Sequence, residues 1–481
     1  MVLVSSVLAY FLTIPTTAFP CPMPQDRIKP EPKGLVVVAP QAWKPDLAPL
    51  LAMRREQRPV WFHSLESMTA PGVEGDAAER LKRRLYQQWI SQSVGYVLLV
   101  GDADTLPVRY MVLDRVTEAA FHTAFYPTDL YYADLANDRG DFDSWNQERE
   151  GHHALYYGEV QGEHRKLEPI NLDQISYRPE VALGRFPVSD RPALQAIVAK
   201  TLAWERKQLE AEAQSPSVLF VHPQGWIDAR KPLKGLARAW TSHNWQVDLQ
   251  LFDEPSLVEP SAFLAKRREK QVLFHVGHGT TESWQHCLSV KHLPLLAEGD
   301  PAVFFSVGCS TGHFSTEAPY QAYLDLHGQV HAGTNHGEVF SAPPPPPANW
   351  QPGRFNSTGL GERLIRMPAG GAVLYIGCNT GAQPCAMSLL EGFARSVVER
   401  PIQCFGEAWR LAVHDYYQKE ALSQLKPTAS WYPPSIFFQG MKFMLFGDPC
   451  LAIPNPRIPS TKTPNPRTPI QSPGLPTTSG D

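Results

Sequence analysis

A histidine and a cysteine, His278 and Cys309, stand 31 positions apart, each at the end of a short apolar run: VLFHVGHG over residues 272–279 and AVFFSVGCSTGHF around the cysteine. An imidazole beside a thiol is what acyl transfer requires, a sulfur that attacks a carbonyl and a ring that moves the proton. Such runs read as buried strands of a parallel sheet, and the glycines after them let the chain turn sharply. Ligands of open α/β sheets bind beyond the carboxyl ends of the strands. Two neighbouring strands therefore set His278 and Cys309 side by side at the rim.

Other reactive residues suggest other chemistry. His275 and His278 form HxxH, with His286, Cys287 and His313 nearby in sequence, which raises a zinc site. Residues three apart on a strand face opposite sides, so the two histidines share a metal only if the strand has ended; His275 then reads as a core or rim histidine and His313 as a loop residue or pocket lining. The seven cysteines are odd in number, irregularly spaced and include no CxxC pair. That argues against a zinc ribbon or thioredoxin-type site and implies at least one free thiol. The stretch DLANDRGDFDSWNQE gathers Asp134, Asn137, Asp138, Asp141, Asp143 and Glu148. Carboxylates crowded around a glycine suit a hard cation such as calcium, which takes about six to eight oxygen ligands; the spacing is not that of an EF-hand, and a solvated acidic turn is the alternative.

The chain of 481 residues is long enough for two or three domains. A formal net charge of −4 supplies no basic field for nucleic acid, and 43% hydrophobic residues suit sizeable cores. The first twenty residues, MVLVSSVLAYFLTIPTTAFP, are an apolar run followed by small residues. They read as an exported protein's signal peptide, although the basic start is missing and a buried first strand is the alternative. No other segment is long and apolar enough to span a membrane. Residues 454–481 hold almost no large apolar side chain and read as a disordered tail. A second proline cluster, Pro343–Pro347, lies in an insertion from His331 to Gly353, expected to flank the cleft and either select substrates or block the site until cut, with Trp350 as an apolar tip.

Between these ends strands and helices alternate. LVVVAP, YVLLVGD and EVALGRFPV are strands of a first unit, with helices over 77–91 and 191–210. SVLFVHP, VDLQLF, the two reactive strands, GGAVLYIG and FMLFGDP make a second, with helices over 231–243 and 261–270. The order predicts a doubly wound α/β architecture in two consecutive sheets, divided near residues 212–217 into subdomains 34–213 and 214–453.

Five segments in this order resemble the gingipain-type cysteine peptidases of the caspase-like clan: YVLLVGDADTLP, TDLYYADL, PEVALGRFPVS with TLAWERKQ, the pair HVGHGTTESW and FFSVGCSTGHF, and FMLFGDPCLAIP. The resemblance implies an α/β/α sandwich of two adjoining subdomains and a secreted or cell-envelope cysteine endopeptidase acting on proteins or peptides, with no cofactor required for catalysis. It implies Cys309 as nucleophile, His278 as its partner, and the N–H groups of Gly279 and Cys309 as oxyanion donors. Trp284 matches an aromatic that helps wall the specificity pocket, and Asp228 falls near an aspartate that accepts a basic P1 side chain. Structural calcium is common in the family. The acid that supports the histidine in such enzymes has no counterpart at residues 222–224, where a backbone carbonyl is the substitute. A sortase-like transpeptidase of the same family and a non-catalytic binding protein are the rival functions.

Overall fold

The computed structural model describes residues 34–112, 125–145, 170–171, 174–210, 215–223, 225–251, 260–340, 344–426, 428 and 432–455. The N-terminal apolar run, Gln224, Glu148 and the tail beyond residue 455 lie outside them.

The main sheet is built from β1 (Gly34–Ala39), β2 (Val60–Ser64), β3 (Val94–Val100), β4 (Ala182–Phe186), β5 (Ser217–His222), β6 (Gln246–Leu251), β7 (Val272–Val276), β8 (Ala302–Val307), β9 (Ala372–Cys378) and β10 (Phe443–Phe446). Its spatial order is β2-β1-β3-β4-β10-β9-β8-β7-β5-β6. Alternate residues of β1 serve opposite faces, Leu35 and Val37 one core, Val36 and Val38 the other. One face is covered by helices α1 (Lys44–Gln57), α3 (Arg191–Glu210), α5 (Pro260–Arg267) and α6 (Leu360–Arg366). The other is covered by α2 (Ala77–Ser91), α4 (Arg230–Ser242), α7 (Ala386–Glu399) and α8 (Phe405–Lys419). Cover on both sides explains why the central strands are continuously apolar, and the result is the expected α/β/α sandwich.

The expectation of two consecutive sheets is corrected: the sheet is single. Its seam is β10, which pairs in parallel with β4 at Phe446 and Arg185 and antiparallel with β9 from Tyr375–Phe446 to Cys378–Phe443. The last strand thus closes the gap between the two halves instead of finishing the second, a long-range pairing with no local signature. All other neighbours are parallel. The halves therefore run in opposite directions, and their carboxyl ends lie on opposite edges.

Buried ion pairs join the sequence segments that looked most distinctive. Arg185 of β4, fully buried, grips Asp129 through two hydrogen bonds of 2.8 and 2.6 Å and donates to the Gly101 carbonyl at 2.8 Å. Arg366 of α6 reaches Asp102 at 2.6 Å, and Arg54 of α1 pairs with Glu205 and Asp448, both at 2.7 Å. Lys200 of α3 donates to the carbonyls of Ile365 and Ala372 at 2.7 and 2.8 Å, tying one half to the other. Removing one partner of such a buried pair typically costs about 3–5 kcal/mol, so these charges secure the frame that carries the rim residues.

Candidate active site

In the second half the spatial order is β6-β5-β7-β8-β9, so the order reverses between β5 and β7. A crevice opens beyond the carboxyl ends at such a point. Strand β7 ends at Val276, Gly277 bends, and His278 emerges exposed before a short hairpin that begins with Gly279. On the neighbouring strand β8 ends at Val307, and Gly308 leads into a turn that presents Cys309 partly exposed. The two turns touch through backbone. A Cβ built on Gly279 would lie 2.7 Å from the Cys309 carbonyl oxygen and 2.4 Å from Thr311 Cγ2, and one on Gly308 would lie 3.2 Å from the Cα of Gly279. Only glycine allows this approach, which brings His278 and Cys309 to adjoining positions.

The turn after the cysteine is wound tightly. Ser310 takes a left-handed conformation with φ of 55°, and its N–H donates to the Thr380 carbonyl at 2.7 Å. Thr311 Oγ1 donates to the Gly308 carbonyl at 3.0 Å, and the Gly312 N–H to that of Cys378 at 2.8 Å. A non-glycine residue at positive φ persists only where its surroundings enforce it, as at ligand and catalytic sites. The Cys309 sulfur accepts a hydrogen bond from the Ala382 main-chain N–H at 3.3 Å.

The described cysteines, Cys287, Cys309, Cys378, Cys385, Cys404 and Cys450, are free thiols, and all but Cys309 are buried. Burial pushes Cys378 up to about 12 and Cys385 up to about 11, and lifts Cys287 and Cys450 well above the ordinary thiol range. Burial raises Cys404 as well, so those five are held as thiols, which leaves Cys309 as the reactive candidate.

The histidines divide as strand geometry predicts. His275 is fully buried, hydrogen-bonded through Nδ1 to Ser306 Oγ at 2.9 Å, and burial pushes it down to about 3. It faces the core while His278 faces solvent. His313 is buried in the loop after Cys309, 3.5 Å from Glu317. His222 occupies the place where an acid was missed. Its Nδ1 lies 2.7 Å from the Val276 carbonyl, and its Nε2 accepts from the Ala229 N–H at 3.3 Å. That pairing requires the proton on Nδ1, and it pins the end of β7 two residues before His278. No signal in the sequence distinguished this histidine from a core residue.

Three other expectations meet the structure differently. Trp284 is fully buried, stacked on His275 and donating from Nε1 to the Tyr375 hydroxyl at 3.2 Å. It has no exposed surface for a substrate, because the hairpin after Gly279 folds it back onto the sheet. Asp228 is exposed, but its two oxygens already take Arg230 at 2.8 Å each, which holds it below the usual carboxylate range. The acidic stretch does not converge on an ion. Asn137 Oδ1 accepts the N–H groups of Arg139 and Asp141, Asp138 pairs with Arg178 at 2.8 Å, and Asp141 is exposed. Asp134 and Asp143 turn inward toward the buried Lys82, whose ammonium sits 4.3 Å from the Tyr131 ring and 4.8 Å from that of Trp145. Among the described residues no group of three His, Cys, Asp or Glu side chains is placed to hold a metal ion. A lysine already supplies the positive charge there, so the calcium expectation does not fit.

The insertion is also placed differently. The Val108 N–H donates to the Asn349 carbonyl at 2.8 Å, the Gln351 N–H to that of Ala103 at 2.9 Å, and Trp350 Nε1 to that of Thr105 at 3.2 Å. These anchors follow the carboxyl end of β3, on the edge opposite Cys309. Residues 344–351 thus strap one half to the other, and Trp350 is a docking side chain, not a free tip.

A cysteine and a histidine thus stand on adjoining turns at the carboxyl edge of an α/β/α sandwich. The chain belongs to peptidase family C25, whose model matches residues 28–454, and is a cysteine-type peptidase. Its fold is similar to that of the Arg-specific cysteine proteinase gingipain R, at 14% identity over 88% of this chain and 78% of that one, with a TM-score of 0.56. The complex of the pro- and mature domains of the Porphyromonas gingivalis enzyme RgpB matches equally well, at 14% identity over 87% and 79% of the two chains and the same TM-score of 0.56. No curated protein sequence matches.

Proposed function

We propose that this peptidase is an endopeptidase that cleaves proteins or peptides through a Cys309–His278 dyad and an acyl-enzyme. The observation that carries the reading is the backbone contact of the two rim turns, with a partly exposed cysteine on one and an exposed histidine on the other. Cys309 gives its thiol proton to His278, and its sulfur attacks the scissile carbonyl, forming a C–S bond and pushing charge onto the oxygen. The N–H groups of Gly279 and Cys309 lie in the contacting turns and are the donors to that oxygen; losing one such donor typically costs about 100-fold or more. Collapse expels the amine, protonated by His278, and water then releases the acid from the thioester. The His222–Val276 hydrogen bond orients the strand end in place of a carboxylate. Export is the matching localisation, resting on the N-terminal apolar run, and fractionation of expressing cells tests it.

A cleavage profile on a peptide library, with the acyl-enzyme trapped on denaturation, tests the function. Peptide products with internal cleavage and a mass adduct on Cys309 are expected. Products joined to an added amine in place of water would make the protein a transpeptidase, and an unreactive Cys309 would leave a binding protein.

A further inference from the structure

We propose that the main-chain N–H of Ala382 belongs to the catalytic apparatus, donating a hydrogen bond that stabilises the Cys309 sulfur when it is ionised. The inference rests on reading Cys309 as the nucleophile. Two contacts of the sulfur carry it. The Ala382 nitrogen, which can only donate, is 3.3 Å from Sγ, while the Ala382 carbonyl oxygen, which can only accept, is 3.9 Å away. The close contact is therefore the one that serves an ionised sulfur, and the distant one is all that serves an S–H. Hydrogen bonds to a charged acceptor are roughly twice as strong as neutral ones, so the contact favours the thiolate over the thiol.

The donor is held in advance. Ala382 is a buried residue of the segment between β9 and α7, and that segment is fixed at several points. The Asn379 N–H donates to the Lys442 carbonyl at 2.8 Å, and Asn379 Nδ2 to that of Pro127 at 2.5 Å. The Gln383 N–H donates to Gln439 Oε1 at 2.9 Å, and the Thr380 carbonyl takes the Ser310 N–H at 2.7 Å, gripping the nucleophile turn itself. Ala382 is 7% exposed, so little water competes for its N–H. When the sulfur attacks, its charge passes through the new C–S bond to the carbonyl oxygen and the N–H···S bond weakens. Hydrolysis of the thioester returns the charge, and the bond re-forms. The proton that leaves the sulfur passes to His278, which gives it to the leaving amine.

The test replaces residue 382 by lactic acid, an ester that deletes the N–H and keeps the methyl group, in the full chain. The readout is the rate of iodoacetamide alkylation of Cys309 against pH. Tenfold to hundredfold slower alkylation at pH 7 is expected, with equal rates at pH 10.5, where an ordinary thiol is ionised. Ala382→Ser, which keeps the N–H, should follow the unmodified protein. An ester variant that alkylates with the unmodified profile overturns the proposal. Should the ester fail to fold, Gln439→Met loosens the segment by freeing the Gln383 N–H; slower alkylation at pH 7 supports the inference, and an unchanged profile overturns it. Alkylation needs no peptide turnover, so a chain that shows the shift yet cleaves no peptide would sink the endopeptidase reading alone.

Discussion

The imidazole of His275 lies flat on the indole of Trp284, ring centroids 4.4 Å apart and planes 4° from parallel. The pair fills the space beneath the turn that carries His278, and burial holds the imidazole neutral. An unfolded histidine ionises near 6.5, whereas this one is pushed down to about 3. Between those values the unfolded chain takes up a proton that the native state refuses. Stability is therefore complete above about pH 6.5 and falls with acidification, by at most about 1.4 kcal/mol per pH unit from this residue. Melting curves from pH 7 to pH 4 should show that loss. His275→Phe, which keeps an aromatic face on Trp284, should flatten the pH dependence, and an equally steep curve in the variant would show that other groups cause it.

Cys309→Ala should abolish peptide hydrolysis and leave the melting temperature within a few degrees, because the side chain is partly exposed and carries little packing. Iodoacetamide should modify Cys309 in the native protein while Cys287, Cys378, Cys385 and Cys450 react only after unfolding. Peptide mapping after a brief pulse reads this directly; turnover retained in the alanine variant would remove Cys309 from its role.

His278→Ala should lower kcat by about 100- to 10,000-fold, the usual worth of a positioned acid–base group. His313→Ala should cost far less in rate, since His313 is buried away from solvent at the back of the nucleophile loop. His275→Ala should act mainly on stability. Steady-state kinetics on the three variants give the ranking, and a greater rate loss at His275 would contradict the facing assigned to β7.

The insertion should respond to alkali. His331 is bracketed by carboxylates, Nδ1 at 2.8 Å from Glu338 and Nε2 at 3.0 Å from Asp325, with the rings of Tyr323 and Phe340 against it. Those acids raise its ionisation above the ordinary value, against an opposing desolvation. The stabilisation is complete below about pH 6.5 and is lost as pH rises through the raised value. Amide exchange in residues 325–340, corrected for its intrinsic pH dependence, should quicken on passing from pH 6 to pH 9. His331→Gln should remove that change.

Deleting residues 341–350 should lower the melting temperature, because the Val108 N–H and the Thr105 carbonyl lose their partners and the strap's buried prolines are removed. A deletion that melts like the full chain would show that the strap contributes nothing to holding the halves together.

Much of the site was legible in the sequence because strand patterning is local. Apolar runs ending in Gly-His-Gly and Gly-Cys fix where each strand stops, and a period of two fixes that His275 points inward when His278 has left the strand. Helices over 77–91 and 191–210 follow from their own periodicity and appear with those bounds. Strand β2 and helices α1, α6, α7 and α8 escaped notice.

The remaining features depend on partners far apart in the chain. Strand β10 reads as one more apolar run, and pairing alone makes it the seam that turns one half against the other. Trp284 and Asp228 have the right residue types for a pocket; a stacked histidine claims the first and Arg230 the second. The acids at 134–143 suit a cation by composition, yet the fold aims two of them at the ammonium of Lys82. The Ala382 N–H left no trace in the sequence at all, because every residue but proline carries the same group and only the path of the backbone brings one to the sulfur.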